Sequence, residues 1–304
     1  MPKRSKQRET QPSILVVDVG NTSTSLGLYR GGKVLRQARF ETKLTDPMRI
    51  CMAVRKLGAK SFWVGAMVAT VVPNQGPCWL ATLRELIPGP VELLDHRSKL
   101  GLRLTYPKPA AIGPDRLANA CAGVHRYGAP LIVADFGTAV TFDVITKRGG
   151  YVGGVIGPGL PLMFTYLAEK TARLPLLKPR TVRARMGTST EQAMQLGARW
   201  GYRGLVREIL HELQRVPELK RARLLATGGY AKWVVQGMGL PIEVVPELTL
   251  QGIGRAFELT YEADSLQANP PLVGTALRAV RGGQPSPHGY DRPRRSARPT
   301  FRRT

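Results

Sequence analysis

Histidine and cysteine are scarce in this chain of 304 residues, which has four of the first and three of the second. His96, His125, His211 and His288 form no cluster, and Cys51, Cys78 and Cys121 stand far apart in no metal-binding or redox spacing. The pattern argues against a disulfide framework and leaves zinc chemistry and Ser-His-Asp catalysis without their residues. Three unpaired cysteines suit a reducing compartment, so the expected location is the cytoplasm. Long apolar runs are missing too. No stretch approaches the roughly 18 residues that cross a bilayer, and Ile14–Val17 is too short for a signal-peptide core. No membrane partner is expected.

Acidic residues are outnumbered 21 to 45 by lysine and arginine, for a formal net charge of +24. Such a balance attracts polyanions, nucleic acid among them. Its distribution weakens that reading. Lys3, Arg4, Lys6 and Arg8 against Glu9 place +3 on residues 1–13, and eight arginines from Arg278 onward against Asp291 place +7 at the other end, leaving +14 on the body. Arg292-Pro293-Arg294-Arg295 and Arg302-Arg303, mixed with proline, glycine and serine, read as solvated tail sequence. Nucleic-acid contact through these tails stays open as an alternative to simple solvation.

With 43% hydrophobic and 22% charged residues, the body reads as a globular enzyme with room for two domains. The apolar run Ile14–Val17 is a buried-strand pattern that enters Asp18-Val19-Gly20-Asn21-Thr22, where glycine and asparagine turn the chain before a second strand. The device is repeated. Leu131–Ala134 runs into Asp135-Phe136-Gly137-Thr138-Ala139, and each copy has a second strand and a Gly-Gly turn, at Gly31-Gly32 and Gly149-Gly150. A duplicated domain follows from that repetition. Each tip offers one carboxylate, a hard oxygen for Mg²⁺, with small residues that let backbone N–H groups and hydroxyls approach phosphate.

Between the hairpins, strand and helix signals alternate in the α/β manner. Val34–Phe40 alternates as a third strand, Asp46-Pro47 opens a helix, Phe62–Thr70 is a strand, Trp79–Leu86 a helix and Val91–Leu94 a short strand. Gly113-Pro114 then sets Asp115 and Arg116 at the start of a helix whose Leu117, Cys121 and Val124 recur at helical spacing. The helix dipole favours an ionised Asp115, and Arg116 offers a fork for a carboxylate; a plain cap with a solvated arginine is the competing view. Past Ala129-Pro130, the run Gly149–Gly159 holds six glycines, which suits close approach of backbone to a ligand or another chain. Pro161–Lys170 reads as a helix. Thr188 with Glu191, or Ser189 with Gln192, fits a capping box for a helix reaching Leu213, with Thr190 in its first turn. Arg223–Ala226 is a strand joined by Thr227-Gly228-Gly229 to a helix beginning near Tyr230, a turn where a base or ribose lies against backbone. Ile242–Val245 is the last strand and Leu250–Ala263 the last helix.

From about Ser13 to Tyr261 the chain resembles the type III pantothenate kinases of the acetate and sugar kinase, Hsp70 and actin superfamily. The resemblance rests on the order of Asp18-Val-Gly-Asn-Thr22, Gly113-Pro-Asp-Arg116, Asp135-Phe-Gly-Thr-Ala139, Gly153–Gly159, Thr171-Ala-Arg-Leu-Pro175 and Thr227-Gly-Gly229. It implies an α/β fold of two duplicated actin/ribonuclease H-like domains with mixed sheets and the nucleotide in the cleft between them. The expected division is a basic tail at 1–13, domains at 14–128 and 129–265, and a Pro/Arg-rich tail at 266–304.

The implied activity is transfer of the γ-phosphoryl of ATP to pantothenate, the first step towards coenzyme A. By the same resemblance Asp18, Val19, Gly20, Asn21, Thr22, Ser23, Thr24 and Ser25 hold the phosphates and Mg²⁺, and Thr138 touches ATP. Asp115 is the base. Tyr106, Gly113, Pro114 and Arg116 bind pantothenate, Thr190 completes the site across a homodimer interface, and Asp135 holds K⁺ or NH₄⁺. Gly228 and Gly229 are the candidate adenosine residues. Pro114, Val140 and Ser189 depart from the alanine, threonine and asparagine usual in the family, and none of them removes a carboxylate, arginine or hydroxyl with an assigned role. The competing readings are a catalytically silent relative that binds nucleic acid or a regulatory partner, and a kinase or phosphatase of this fold acting on another small alcohol or acid.

Overall fold

The computed structural model describes residues 11–58 and 62–261. Among the described residues, two five-stranded mixed sheets share one strand order. The first runs β3 (Lys33–Glu41), β2 (Ser23–Arg30), β1 (Pro12–Val19), β4 (Phe62–Thr70), β5 (Val91–Leu93). The second runs β8 (Gly150–Pro158), β7 (Ala139–Thr146), β6 (Leu131–Phe136), β9 (Arg223–Thr227), β10 (Ile242–Val244). In each, three strands form an antiparallel meander and the last two add in parallel.

The helices repeat the correspondence. α1 (Pro47–Gly58) follows the first meander, α2 (Gln75–Leu86) joins β4 to β5, and α3 (Pro114–Tyr127) follows β5. In the second half α4 (Leu160–Lys170) and α5 (Thr190–Gln214) follow β8, α6 (Ala231–Val235) joins β9 to β10, and α7 (Leu248–Tyr261) closes the series. This is the duplicated actin/ribonuclease H-like α/β fold.

Side-chain alternation explains how the layers stack. On β1, Ile14 and Val16 enter one core while Leu15, Val17 and Val19 enter another; on β6, Leu131 and Val133 oppose Ile132, Ala134 and Phe136 in the same way. Strands buried on both faces need helices on both sides, which is why they read as unbroken apolar runs. α1 and α2 cover the outer face of the first sheet, α4, α5 and α6 the outer face of the second, and α3 and α7 lie between the two sheets. α3 and α7 meet almost at the backbone: a Cβ on Gly252 would overlap the Ala118 carbonyl. That closeness fixes the N-terminus of α3, and with it Asp115, against both halves.

Several boundaries differ from the sequence expectation. α2 begins at Gln75, one turn before Trp79, and α7 begins at Leu248. β1 begins at Pro12, and Ser13 is already buried. The glycine-rich run folds as β8, at the edge of its sheet. α5 starts where expected: the Ser189 hydroxyl accepts from Gln192 N–H, while Gln192 Oε1 accepts from Thr188 N–H. Residues 1–10, the chain beyond Tyr261 and the expected helix end at Ala263 lie outside the described residues. No described helix is long and apolar enough to cross a membrane.

Candidate active site

The two hairpin tips touch. Thr22 Oγ1, after β1, lies 2.9 Å from Thr138 Oγ1, after β6, although 116 positions separate them. The first tip is braced by Thr42, whose hydroxyl donates to the Gly20 carbonyl at 2.6 Å and whose N–H bonds the Thr22 carbonyl. With the Thr42 proton so committed, the buried Thr24 hydroxyl donates to Thr42 Oγ1 at 2.9 Å. Val19 ends β1 in the core, Ser25 pairs with Asp18 across β2, and Asn21 and Thr22 remain exposed.

Three carboxylates gather below the tips, each near enough to perturb another. Burial pushes the Asp18 carboxyl up to about 8, helped by the like charges of Asp115 and Asp135, with Arg39 opposing. No hydrogen-bond donor meets Asp18 among the described residues. Asp135 is pushed by burial only to about 6, because Asn119 Nδ2 donates to its Oδ2 at 2.9 Å. Asn119 is itself held by Thr249, whose hydroxyl donates to Asn119 Oδ1 at 2.8 Å from the start of α7.

Asp115 occupies the second position of α3, and its Oδ1 accepts the Arg116 N–H at 2.8 Å. Burial raises its pKa in spite of that bond and of the Arg116 charge. The sequence reading expected the helix dipole to favour the ionised form; desolvation outweighs it here. Nor is Arg116 a solvated arginine. Its side chain is 14% exposed and its Nε donates to Asp143 Oδ1 at 2.7 Å. Tyr106 stands edge-on to Tyr151, with ring centroids 6.3 Å apart, beside Arg116. Gly113 and Pro114 are the N-cap and first residue of α3.

Gly228, with φ +88°, lies so close to Asp135 that a Cβ there would strike the carboxylate, and Gly229 faces Arg39. The structure therefore brings together Asp18, Thr22, Ser23, Asp115, Arg116, Asp135, Thr138, Gly228 and Gly229. Thr190 is exposed at the start of α5, and no hydrogen bond ties it to this group among the described residues.

Sequence reasoning missed Arg39, Asn119 and Asp143. Arg39 reaches from β3 to Ser23 Oγ at 2.6 and 2.9 Å, supplying a cation at the first tip. Its place in an alternating edge strand carried no signal. Asn119 and Asp143 did leave one: a polar residue inside an otherwise apolar helix face and strand.

The donor set suits the expected ions. No three acidic, histidine or cysteine side chains form a ready cage among the described residues. Asp18, with no donor on it among the described residues, offers a free oxygen ligand for a Mg²⁺ ion shared with phosphates and water, and Asp135 keeps one oxygen beyond its bond from Asn119.

Two ribonuclease H-like units of one strand order, each ending its first strand in an acidic tip, define an actin-like α/β fold. A crystal structure of a conserved Baf family protein from Campylobacter jejuni shares the fold, with a TM-score of 0.53 at 16% identity, covering 80% of this chain and 97% of that one. The family model for type III pantothenate kinase matches residues 14–212. A type III pantothenate kinase from Akkermansia muciniphila is 45% identical over 188 residues, 62% of this chain and 76% of its own. Another, from Thermomicrobium roseum, is 34% identical over 262 residues, 82% of this chain and 98% of its own. The chain belongs to the type III pantothenate kinase family.

Proposed function

We propose that this pantothenate kinase transfers the γ-phosphoryl of ATP to the primary hydroxyl of pantothenate at the acidic group beneath the two tips. The products are 4′-phosphopantothenate and ADP, and the reaction opens coenzyme A synthesis. The observation that carries the placement is the Thr22–Thr138 contact above Asp18, Asp115 and Asp135.

Phosphoryl transfer is mostly positioning and neutralisation of charge. The tip residues Gly20–Ser25, Arg39 and Thr138 hold the triphosphate. Asp18 would hold Mg²⁺, which would neutralise phosphate charge when bound, and Asp135 would hold a monovalent cation, K⁺ or NH₄⁺. Arg116 and Tyr106 hold pantothenate by its carboxylate end. The hydroxyl oxygen attacks the γ-phosphorus, the bond to the β-bridging oxygen breaks, and the hydroxyl proton passes to Asp115. The raised pKa of Asp115 makes it a better proton acceptor than an ordinary carboxylate at the pH where it is ionised. Gly228 and Gly229 offer backbone for the adenosine.

A homodimer supplies Thr190 to the partner's site in this reading. Its support is the exposed apolar side chains of β8, α4, α5 and the segment between them, among them Ile156, Leu162, Tyr166, Leu176, Met186 and Trp200. The cytoplasm, where both substrates are used, is the proposed location.

The test is ADP release from ATP, Mg²⁺ and pantothenate in K⁺ and then Na⁺ buffer, beside Asp115→Asn. Pantothenate-dependent turnover that needs K⁺ and is lost in the variant supports the assignment of base and cation. A folded, ATP-binding protein without pantothenate-dependent turnover overturns it. Light scattering of the eluted protein gives the oligomeric state.

A further inference from the structure

Arg116 is usually thought of by its charge, but its direction is set by a group deeper in the second sheet. Asp143 lies on β7 among Phe142, Val144 and Ile145, with no exposed side-chain surface. Its Oδ1 accepts two hydrogen bonds of 2.7 Å, from Arg116 Nε and from the Tyr151 hydroxyl, and Thr141 Oγ1 stands 3.4 Å from Oδ2. The Arg116 guanidinium also lies over the Tyr151 ring, 5.9 Å from its centroid. The backbone of β8 also closes in: a Cβ on Gly154 would stand 3.0 Å from Arg116 Nη2. Nε is thus committed to the protein, Tyr151 and Gly154 confine the fork, and the terminal nitrogens remain for a ligand.

We propose that Asp143, with Tyr151, is the positioning residue that turns the Arg116 fork towards the substrate carboxylate and so sets the preference for an acid over its neutral amide. The inference rests on the reading of Arg116 as the carboxylate-binding residue. Tyr151 extends the same control to Tyr106, which stands edge-on against its ring.

Charge and position make opposite predictions for Asp143. As a buried acid near an anionic substrate it repels that substrate, so removing its charge strengthens binding. As the anchor of Arg116 it is needed for binding, so removing its acceptor oxygens weakens binding. Asp143→Asn is neutral but keeps an acceptor, and Asp143→Leu is neutral and keeps none.

The experiment measures kcat and KM for pantothenate, for its primary amide and for ATP in wild type, Asp143→Asn, Asp143→Leu, Tyr151→Phe, Arg116→Ala and Arg116→Ala/Asp143→Leu, with melting curves for each. Expected for Asp143→Leu is a pantothenate KM raised about tenfold or more, as when a charged hydrogen-bonded pair is broken. The ATP KM stays within twofold (roughly the scatter expected for an uncoupled site), the acid-to-amide preference collapses, and Asp143→Asn retains most of it. The double variant adds nothing to Arg116→Ala, because Asp143 acts through the arginine.

A lowered or unchanged pantothenate KM in Asp143→Leu overturns the inference, as does full additivity in the double variant. If Asp143→Leu does not fold, Tyr151→Phe decides. A selective rise in pantothenate KM supports the inference and its absence overturns it. If Arg116→Ala leaves the pantothenate KM and the acid-to-amide preference untouched, the reading of Arg116 fails first, which is a separate result.

Discussion

The two halves share strand order, hairpin and acidic tip, yet they treat their carboxylates differently. Asp18 in the first half meets no donor among the described residues and is driven up to about 8. Asp135 in the second half is bonded to Asn119, itself tied to Thr249, and stays near 6. A carboxylate without a fixed partner suits a ligand that arrives and leaves in each cycle, as Mg²⁺ does with its nucleotide. A carboxylate oriented by an amide suits an ion that stays. The final helices have diverged in the same sense. The start of α3 carries Asp115 and Arg116, whereas the start of its counterpart α7 carries Thr249, which supports a residue of α3. Duplication supplied a symmetrical frame, and the chemistry lies in the asymmetry.

The sharpest way to break this comparison is Asp115→Asn, because the proposed base has no counterpart on α7. We expect kcat to fall about 10²- to 10⁴-fold in coupled-assay turnover with the melting temperature little changed. Retained turnover removes Asp115 from the proton path. Asn119→Ala should raise the K⁺ concentration for half-maximal rate about 10- to 100-fold, as loss of a residue that orients a ligand does, while leaving the ATP KM nearly unchanged. An equal loss of ATP affinity would mean that the two tips are not specialised. The acid limb of kcat/KM for pantothenate should lie above the ordinary carboxylate range of about 4. The sign follows from burial: a raised pKa keeps Asp115 protonated, and so unable to accept a proton, to higher pH. Smallest is a proton count. Burial holds the Asp18 carboxyl well above the ordinary carboxylate range, so MgATP binding at neutral pH should release protons, seen by calorimetry in buffers of different ionisation enthalpy. Asp18→Asn should abolish that release.

Much of the frame was legible because its determinants are local. Ile14–Val17 and Leu131–Ala134 are strands by composition, Gly20-Asn21 and Gly137-Thr138 are turns, and Pro114 marks the start of α3 by its fixed φ and missing donor. The unread part depends on distant partners. A buried acid at Asp143 makes sense only once Arg116, 27 positions earlier, is known to face it. The polar Asn119 on an apolar helix face likewise makes sense only once Asp135 and Thr249 meet it from two other elements. The ionisation of Asp115 was misjudged because a helix start is visible in sequence and desolvation is not. Arg39 was hidden by its setting, since cations on an edge strand normally discourage pairing with another chain.

Gly252 and Ala118 bring α3 and α7 into contact at their backbones, with no side chain interposed. Helices in such contact have no compressible layer between them along which to slide. The turn of α3 that carries Asp115 and Arg116 is thereby held at a set distance from α7, whose Thr249 supports Asn119 against Asp135. Any side chain added at Gly252 has to part the two helices, and so disturbs both halves of the acidic group at once.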